Sequence, residues 1–204
     1  IDHAGRYHTS TEIASVEMDG SVSRSNWGEV QRNSKRLASA LTKMGLKTSA
    51  RCATIAWNNR RHLEIYFGVS SAQFVCHTIN PRLFPEQLVY IVNHAEDEVI
   101  FIDRSLFALI APLLPTFTTV KHLVIMDDGK GDVPKSVDGY QMHDYEELLK
   151  GTPGVEFNIT DENLASSMCY TSGTTGNPKG VLYSHRSTYL HTFGAMTVDS
   201  LGAR

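Results

Sequence analysis

From Trp27 the polar and apolar positions fall into a helical rhythm. Trp27, Val30, Leu37, Ala38, Leu41 and Met44 recur at that spacing, with Arg32, Lys35, Arg36 and Lys43 between them. Gly45 follows where a C-cap glycine is expected. Before this helix, residues 1–26 carry few apolar positions and read as an irregular or hairpin-like entry. After it, short apolar runs alternate with helical segments. Cys52–Trp57, Phe74–Ile79, Glu98–Asp103 and His122–Met126 read as buried strands. Between them, helices are predicted from Arg60 to Ser70, from Pro85 to about His94, and from Leu106 to Leu114, the last stopped by Pro115. Asn58-Asn59 suits a helix entry, and Asn80-Pro81 ends its strand.

Near-continuous apolar strands joined through helices predict an α/β fold, with a mostly parallel doubly wound sheet covered by helices on both faces. Ligands of such sheets bind beyond the carboxyl ends of the strands. Asp127 to Gly139 reads as a polar loop, Tyr145–Leu149 as a short helix, and Ser166–Tyr170 as a final strand.

Composition narrows the function classes. The chain has 204 residues, 41% of them hydrophobic and 20% charged, as in an ordinary globular protein. A formal charge of -3 provides no general attraction to nucleic acid or to anionic membranes. No apolar run reaches the roughly 20 residues needed to span a bilayer. The polar start Ile1–His8 lacks the apolar core of a signal peptide, so a cytoplasmic protein is the simplest reading. Cys52, Cys76 and Cys169 are odd in number and isolated inside apolar runs, which suits reduced buried thiols. The nine histidines show no metal-ligand spacing. A symmetric homodimer is the general prior for soluble proteins.

The final strand runs directly into Thr171-Ser172-Gly173-Thr174-Thr175-Gly176-Asn177-Pro178-Lys179-Gly180. Glycines let a backbone approach an anion closely and take conformations closed to other residues. The hydroxyls of Thr171, Ser172, Thr174 and Thr175 can donate to phosphate oxygens alongside backbone N–H groups. Lys179 adds a point charge against a polyphosphate. The run is not a Walker A loop: Asn177-Pro178 separates Gly176 from Lys179, and Gly180 stands where a hydroxyl residue is needed. A ligand-free surface turn is the bland alternative, and the density of hydroxyls, glycines and a lysine after a strand argues against it.

Met168 through Lys179 resembles the signature of the AMP-forming acyl-CoA synthetase superfamily, which includes adenylation domains and luciferases. The likeness continues through Asp161–Ala165 and Val181–Ser187, and upstream through Ala53–Asn58, Arg61–Tyr66, His77–Leu88 and Ile91–Asp97. These upstream stretches are most similar to the fatty-acyl branch, in particular to medium- and long-chain fatty-acid ligases and 3-methylmercaptopropionyl-CoA ligases. The resemblance implies activation of a fatty or related carboxylic acid by ATP with Mg²⁺, giving an acyl-adenylate, and then transfer to CoA. It implies that Thr171 is the hydroxyl close to Mg²⁺, and that Ser172, Gly173, Thr174, Thr175, Gly176 and Lys179 hold the β- and γ-phosphates. Members of the superfamily are far longer. Their adenine pocket, second metal carboxylate, most of the acyl tunnel and mobile C-terminal domain cannot fit in Thr188–Arg204. Residues 1–204 are therefore expected to be the N-terminal part of an adenylating domain, with no catalytic residue of their own and little activity alone. A truncated nucleotide-binding module and another adenylating branch are the alternatives.

Two positions depart from the superfamily pattern. Thr48-Ser49-Ala50-Arg51 replaces a Gly-Asp turn before the first core strand, and Gln73-Phe74 replaces a Gly-Ala pair before the second. His77 reads as a structural strand-end histidine rather than a substrate group. Arg60, Arg61 and His62 read as a solvated helix start rather than a CoA-phosphate site, and His185-Arg186 as helix scaffold.

Overall fold

The computed structural model describes residues 1–171, 177–197 and 199–201. A short helix α1 (Asp2–Tyr7) and an antiparallel hairpin, β1 (Glu12–Val16) with β2 (Val22–Asn26), form the entry. Helix α2 (Trp27–Lys43) starts on Asn26, whose side chain accepts from the Glu29 N–H at 2.9 Å, and closes before Gly45 at φ 88°. Then come β3 (Arg51–Ile55), α3 (Arg60–Ser71), β4 (Val75–Thr78), α4 (Pro85–Ala95) and β5 (Asp97–Asp103). Asn59 caps α3 by accepting from the His62 N–H.

Past β5 the expected single helix is broken. A 3₁₀ turn (Arg104–Leu106), a four-residue α5 (Phe107–Ile110) and a second 3₁₀ segment (Ala111–Thr116) stand in its place. Pro112 has no N–H to return to the Ala108 carbonyl, so the α-helical ladder ends there rather than at Pro115. The chain continues through β6 (His122–Met126), β7 (Gln141–Asp144), α6 (Tyr145–Leu149), β8 (Ala165–Thr171), β9 (Lys179–Ser184) and α7 (His185–Met196). The strand at Ser166–Tyr170 is thus not the last one.

The strands form one seven-stranded sheet in the order β7-β6-β5-β3-β4-β8-β9. Every neighbouring pair is parallel except β8 with β9. Strand periodicity sorts the core into two layers. Cys52, Val99, Phe101, Val124 and Met126 face Leu37 and Leu41 of α2, Ile65 and Val69 of α3, and Tyr145 of α6. The alternate residues Ala53, Ile55, Ile100, Ile102 and Leu123 face Leu88, Ile91 and Val92 of α4 and Phe107 and Ile110 of α5. Both faces are covered, as the apolar runs predict. Among the described residues no helix is long and apolar enough to cross a membrane. Cys52 and Cys76 are buried register partners on β3 and β4, and all three cysteines are free.

Candidate functional site

Because β8 runs parallel to β4, its C-terminal end lies with those of the central strands, where open α/β sheets bind ligands. The chain leaves β8 at Thr171 and returns antiparallel as β9 from Lys179. Thr171 and Lys179 are cross-strand register partners, and both are exposed. The expected phosphate loop is therefore the connection of a hairpin whose two ends present a hydroxyl and an ammonium side by side. Ser172, Gly173, Thr174, Thr175 and Gly176 lie outside the described residues. A cleft of about 370 Å³ opens beside Thr171, lined by Thr78, Asn80, Leu83, Ile91 and Tyr170 among others.

The base of this hairpin sits on a buried polar cluster. His77, in the middle of β4, is fully buried with its Nδ1 at 3.0 and 2.9 Å from the two carboxylate oxygens of Asp97, itself fully buried. Burial pushes the Asp97 carboxyl up, opposed by its contact with His77 and by the Arg51 guanidinium. The Tyr170 ring packs on His77 at 5.3 Å between centroids, and its hydroxyl lies 2.6 Å from His94 Nδ1. Burial first, then the nearby Asp97 and Tyr90, push the Tyr170 hydroxyl up to about 12. The sequence marks His77 as structural, and its burial agrees. Asp97, His94 and Tyr170 fall inside the family-like stretches, but nothing local in the sequence marks their contact with His77; three strands and a helix bring them together.

The other sequence candidates resolve differently. Arg60 and Arg61 are not a solvated helix start. Arg60 pairs with Glu64 at 2.7 Å and Glu146 at 3.0 Å, and Arg61 with Glu146 at 3.1 Å and Glu17 at 3.7 Å. His62 Nε2 lies 3.1 Å from the Thr54 hydroxyl. These groups tie α3 to α6 and to the entry hairpin. His185 opens α7 behind its N-cap Ser184, and the Arg186 N–H donates to the Glu162 carbonyl at 2.8 Å, which makes the pair scaffold.

The model of the family described as AMP-binding enzyme matches residues 2–202, nearly the whole chain. The chain belongs to the AMP-binding enzyme family. Among curated relatives, it is 57% identical over 203 residues to the 3-methylmercaptopropionyl-CoA ligase of Ruegeria lacuscaerulensis, a match covering 99% of this chain and 37% of the relative. It is 52% identical over 202 residues to the medium-chain-fatty-acid–CoA ligase of Ectopseudomonas oleovorans, covering 98% of this chain and again 37% of the relative. The chain thus spans little more than a third of the length of these relatives. Among solved structures, acetoacetyl-CoA synthetase from Streptomyces lividans superposes with a TM-score of 0.77 at 17% identity, covering 86% of this chain and 28% of that one. The anthranilate CoA ligase AuaEII, solved with anthranoyl-AMP, gives 0.75 at 20% identity, covering 84% of this chain and 32% of that one. At such identities the likeness concerns the fold, and it is the fold of AMP-binding enzymes.

Proposed function

We propose that this chain supplies the ATP-phosphate-holding part of an AMP-forming ligase that joins a fatty or related carboxylic acid to CoA. One observation carries the reading: Thr171 and Lys179 face each other at the ends of a hydroxyl- and glycine-rich loop, at the carboxyl edge of the sheet, in an AMP-binding family chain. In the proposed reaction the substrate carboxylate attacks the α-phosphorus of ATP and pyrophosphate leaves. The CoA thiol then attacks the acyl carbonyl, forming the thioester and releasing AMP. Lys179 and the hydroxyls of Thr171, Ser172, Thr174 and Thr175, with the backbone at Gly173 and Gly176, hold the β- and γ-phosphates and so favour charge build-up on the leaving pyrophosphate.

Thr171 is also the proposed hydroxyl ligand of Mg²⁺. A neutral hydroxyl is a hard oxygen donor, and Mg²⁺ at phosphoryl sites takes most other ligands from substrate phosphates and water. We further propose that residues 1–204 are the N-terminal part of the adenylating domain, and that the chain beyond them covers the apolar side of β9 and α7. No catalytic side chain is assigned to this part.

The test is ATP–pyrophosphate exchange by the full-length gene product, with a panel of fatty, thioether-containing and amino acids. Exchange dependent on a fatty or thioether acid, followed by acyl-CoA formation, is the expected result. Losing a charge-assisted contact, Lys179→Ala should raise the KM for ATP by about tenfold or more. Exchange driven by amino acids alone, or none with any acid, would overturn the reading.

A further inference from the structure

Tyr170 is the penultimate residue of β8, one step before the chain enters the loop, and it is held from three sides. One face packs on the His77 ring at 5.3 Å, with an interplanar angle of 42°. Its hydroxyl lies 2.6 Å from His94 Nδ1, and the His94 ring meets it edge-on at 5.9 Å while stacking on Tyr90 at 5.1 Å. On the third side is Gly180, its partner on β9, where an added Cβ would come within 3.1 Å of the Tyr170 ring. The tyrosine ring therefore fills a slot made by β4, α4 and β9.

Histidine is a costly choice for the floor of that slot. Its Nδ1 is satisfied by Asp97, but its Nε2 is buried with no partner among the described residues. Leucine or phenylalanine would fill the same volume without stranding a ring nitrogen. What histidine adds is orientation: a carboxylate reaching Nδ1 fixes the plane of the ring on which Tyr170 rests. Asp97 is in turn anchored at the start of β5, where the neighbouring Arg51 donates to the Ala95 and Glu96 carbonyls. The chain of contacts runs from the sheet interior to Tyr170, the residue before the loop.

We infer that His77, oriented by Asp97, acts with His94 to position Tyr170 and thereby sets the direction in which the chain leaves β8 for the loop at Thr171. These are positioning residues: they act through Tyr170 rather than on a substrate. Their effect on adenylation rests on the ATP-binding reading above, whereas their effect on the loop ends does not.

The experiment uses the full-length gene product with four variants, Asp97→Asn, Asp97→Leu, Tyr170→Phe and Tyr170→Leu. Hydrogen exchange across residues 168–182 is followed without ATP, and the KM values for ATP and CoA are measured on the same preparations. Asp97→Asn keeps an acceptor for Nδ1–H and is expected to stay close to wild type. Asp97→Leu and Tyr170→Leu should speed exchange at the paired Tyr170 and Gly180 amides and raise the KM for ATP, each by about tenfold, with the KM for CoA unchanged. Tyr170→Phe, which keeps the ring but drops the bond to His94, should fall between. A merely structural role would lower thermal stability in the leucine variants while leaving both local exchange and the KM for ATP at wild-type values, and that result would overturn the inference. Tyr170 is only half-buried, so its leucine variant tests the point even where Asp97→Leu does not fold. Should the wild type show no ATP–pyrophosphate exchange, the functional reading fails. Hydrogen exchange then decides alone: acceleration confined to the β8–β9 ends upholds the positioning, and unchanged exchange overturns it.

Discussion

At the scale of single residues, two departures from the superfamily pattern turn out to share one backbone problem. Ser49 and Gln73 sit at φ 67° and 62°, in the left-handed region, where glycine is the unstrained choice. The two turns are joined, for the Ser49 N–H donates to the Gln73 carbonyl at 2.8 Å. They are not equivalent. Gln73 Oε1 accepts from both the N–H and the hydroxyl of Thr160, at 3.2 and 2.7 Å, so its side chain returns part of what its backbone costs. Ser49→Gly should therefore stabilise the fold by about 0.5–1 kcal/mol, whereas Gln73→Gly should be close to neutral, both read from urea midpoints. The sequence shows that a glycine is missing at each turn; that a side chain compensates at only one of them is a tertiary fact. Asp103 makes a second case. Burial, with neighbouring Asp128, pushes its carboxyl up to about 6, although the Trp57 N–H donates to Oδ2 at 2.6 Å. The folded state holds this proton more tightly than the unfolded chain. The resulting stability is fully present below about pH 4 and is lost as pH rises through about 6. Asp103→Asn cannot ionise, so the urea midpoint of the variant relative to wild type should climb between about pH 4 and pH 7. A flat difference across that window would show that Asp103 does not titrate there.

At the scale of elements, legibility follows burial. Strands β3 to β6 are near-continuous apolar runs because helices cover both faces, and α2 and α4 show clean stripes for the same reason. Strands β7 and β9 escape the pattern. Gln141–Asp144 and Lys179–Ser184 lie at the two edges of the sheet and bury no side chain fully, so their sequences carry no core alternation. What joins the elements is least visible of all. Glu64 of α3 is fully buried and accepts from Asn33 Nδ2 of α2 at 2.8 Å, Arg60 at 2.7 Å and the Tyr145 hydroxyl of α6 at 2.8 Å. In a linear reading Glu64 is one more acidic residue on a helix. In the fold it fastens three helices over one face of the sheet. Glu64→Leu leaves the Tyr145 hydroxyl and Asn33 amide without their buried acceptor and should destabilise by about 3–5 kcal/mol. Tyr145→Phe removes one of three donors and should cost about 1–3 kcal/mol, measured by thermal or urea denaturation. Equal effects of the two changes would show that Glu64 is not the centre of the network.

At the scale of the molecule, burial is uneven across the sheet. The centre, from β6 to β4, is dry on both faces, while α7 has no buried residue. Tyr189, Leu190, Phe193 and Met196 of α7 and Leu182 of β9 are each more than half exposed. Large apolar side chains left exposed together on one helix and its neighbouring strand mark a place where more protein packs or where aggregation starts. The relatives are close to three times the length of this chain, which spans 37% of them, and their additional polypeptide is the proposed cover. The expected outcome is concrete. The 204-residue chain should bind a hydrophobic dye such as ANS strongly and should self-associate as its concentration rises. The full-length gene product should do neither, and Leu190→Glu with Phe193→Glu in the short chain should suppress both effects without lowering its stability, because neither residue is buried there. In the full-length protein the same double substitution should destabilise by about 2 kcal/mol or more, since two apolar contacts become buried charges. If the double variant is silent in the full-length protein, α7 is not covered by that chain, and the N-terminal-part assignment loses its structural support.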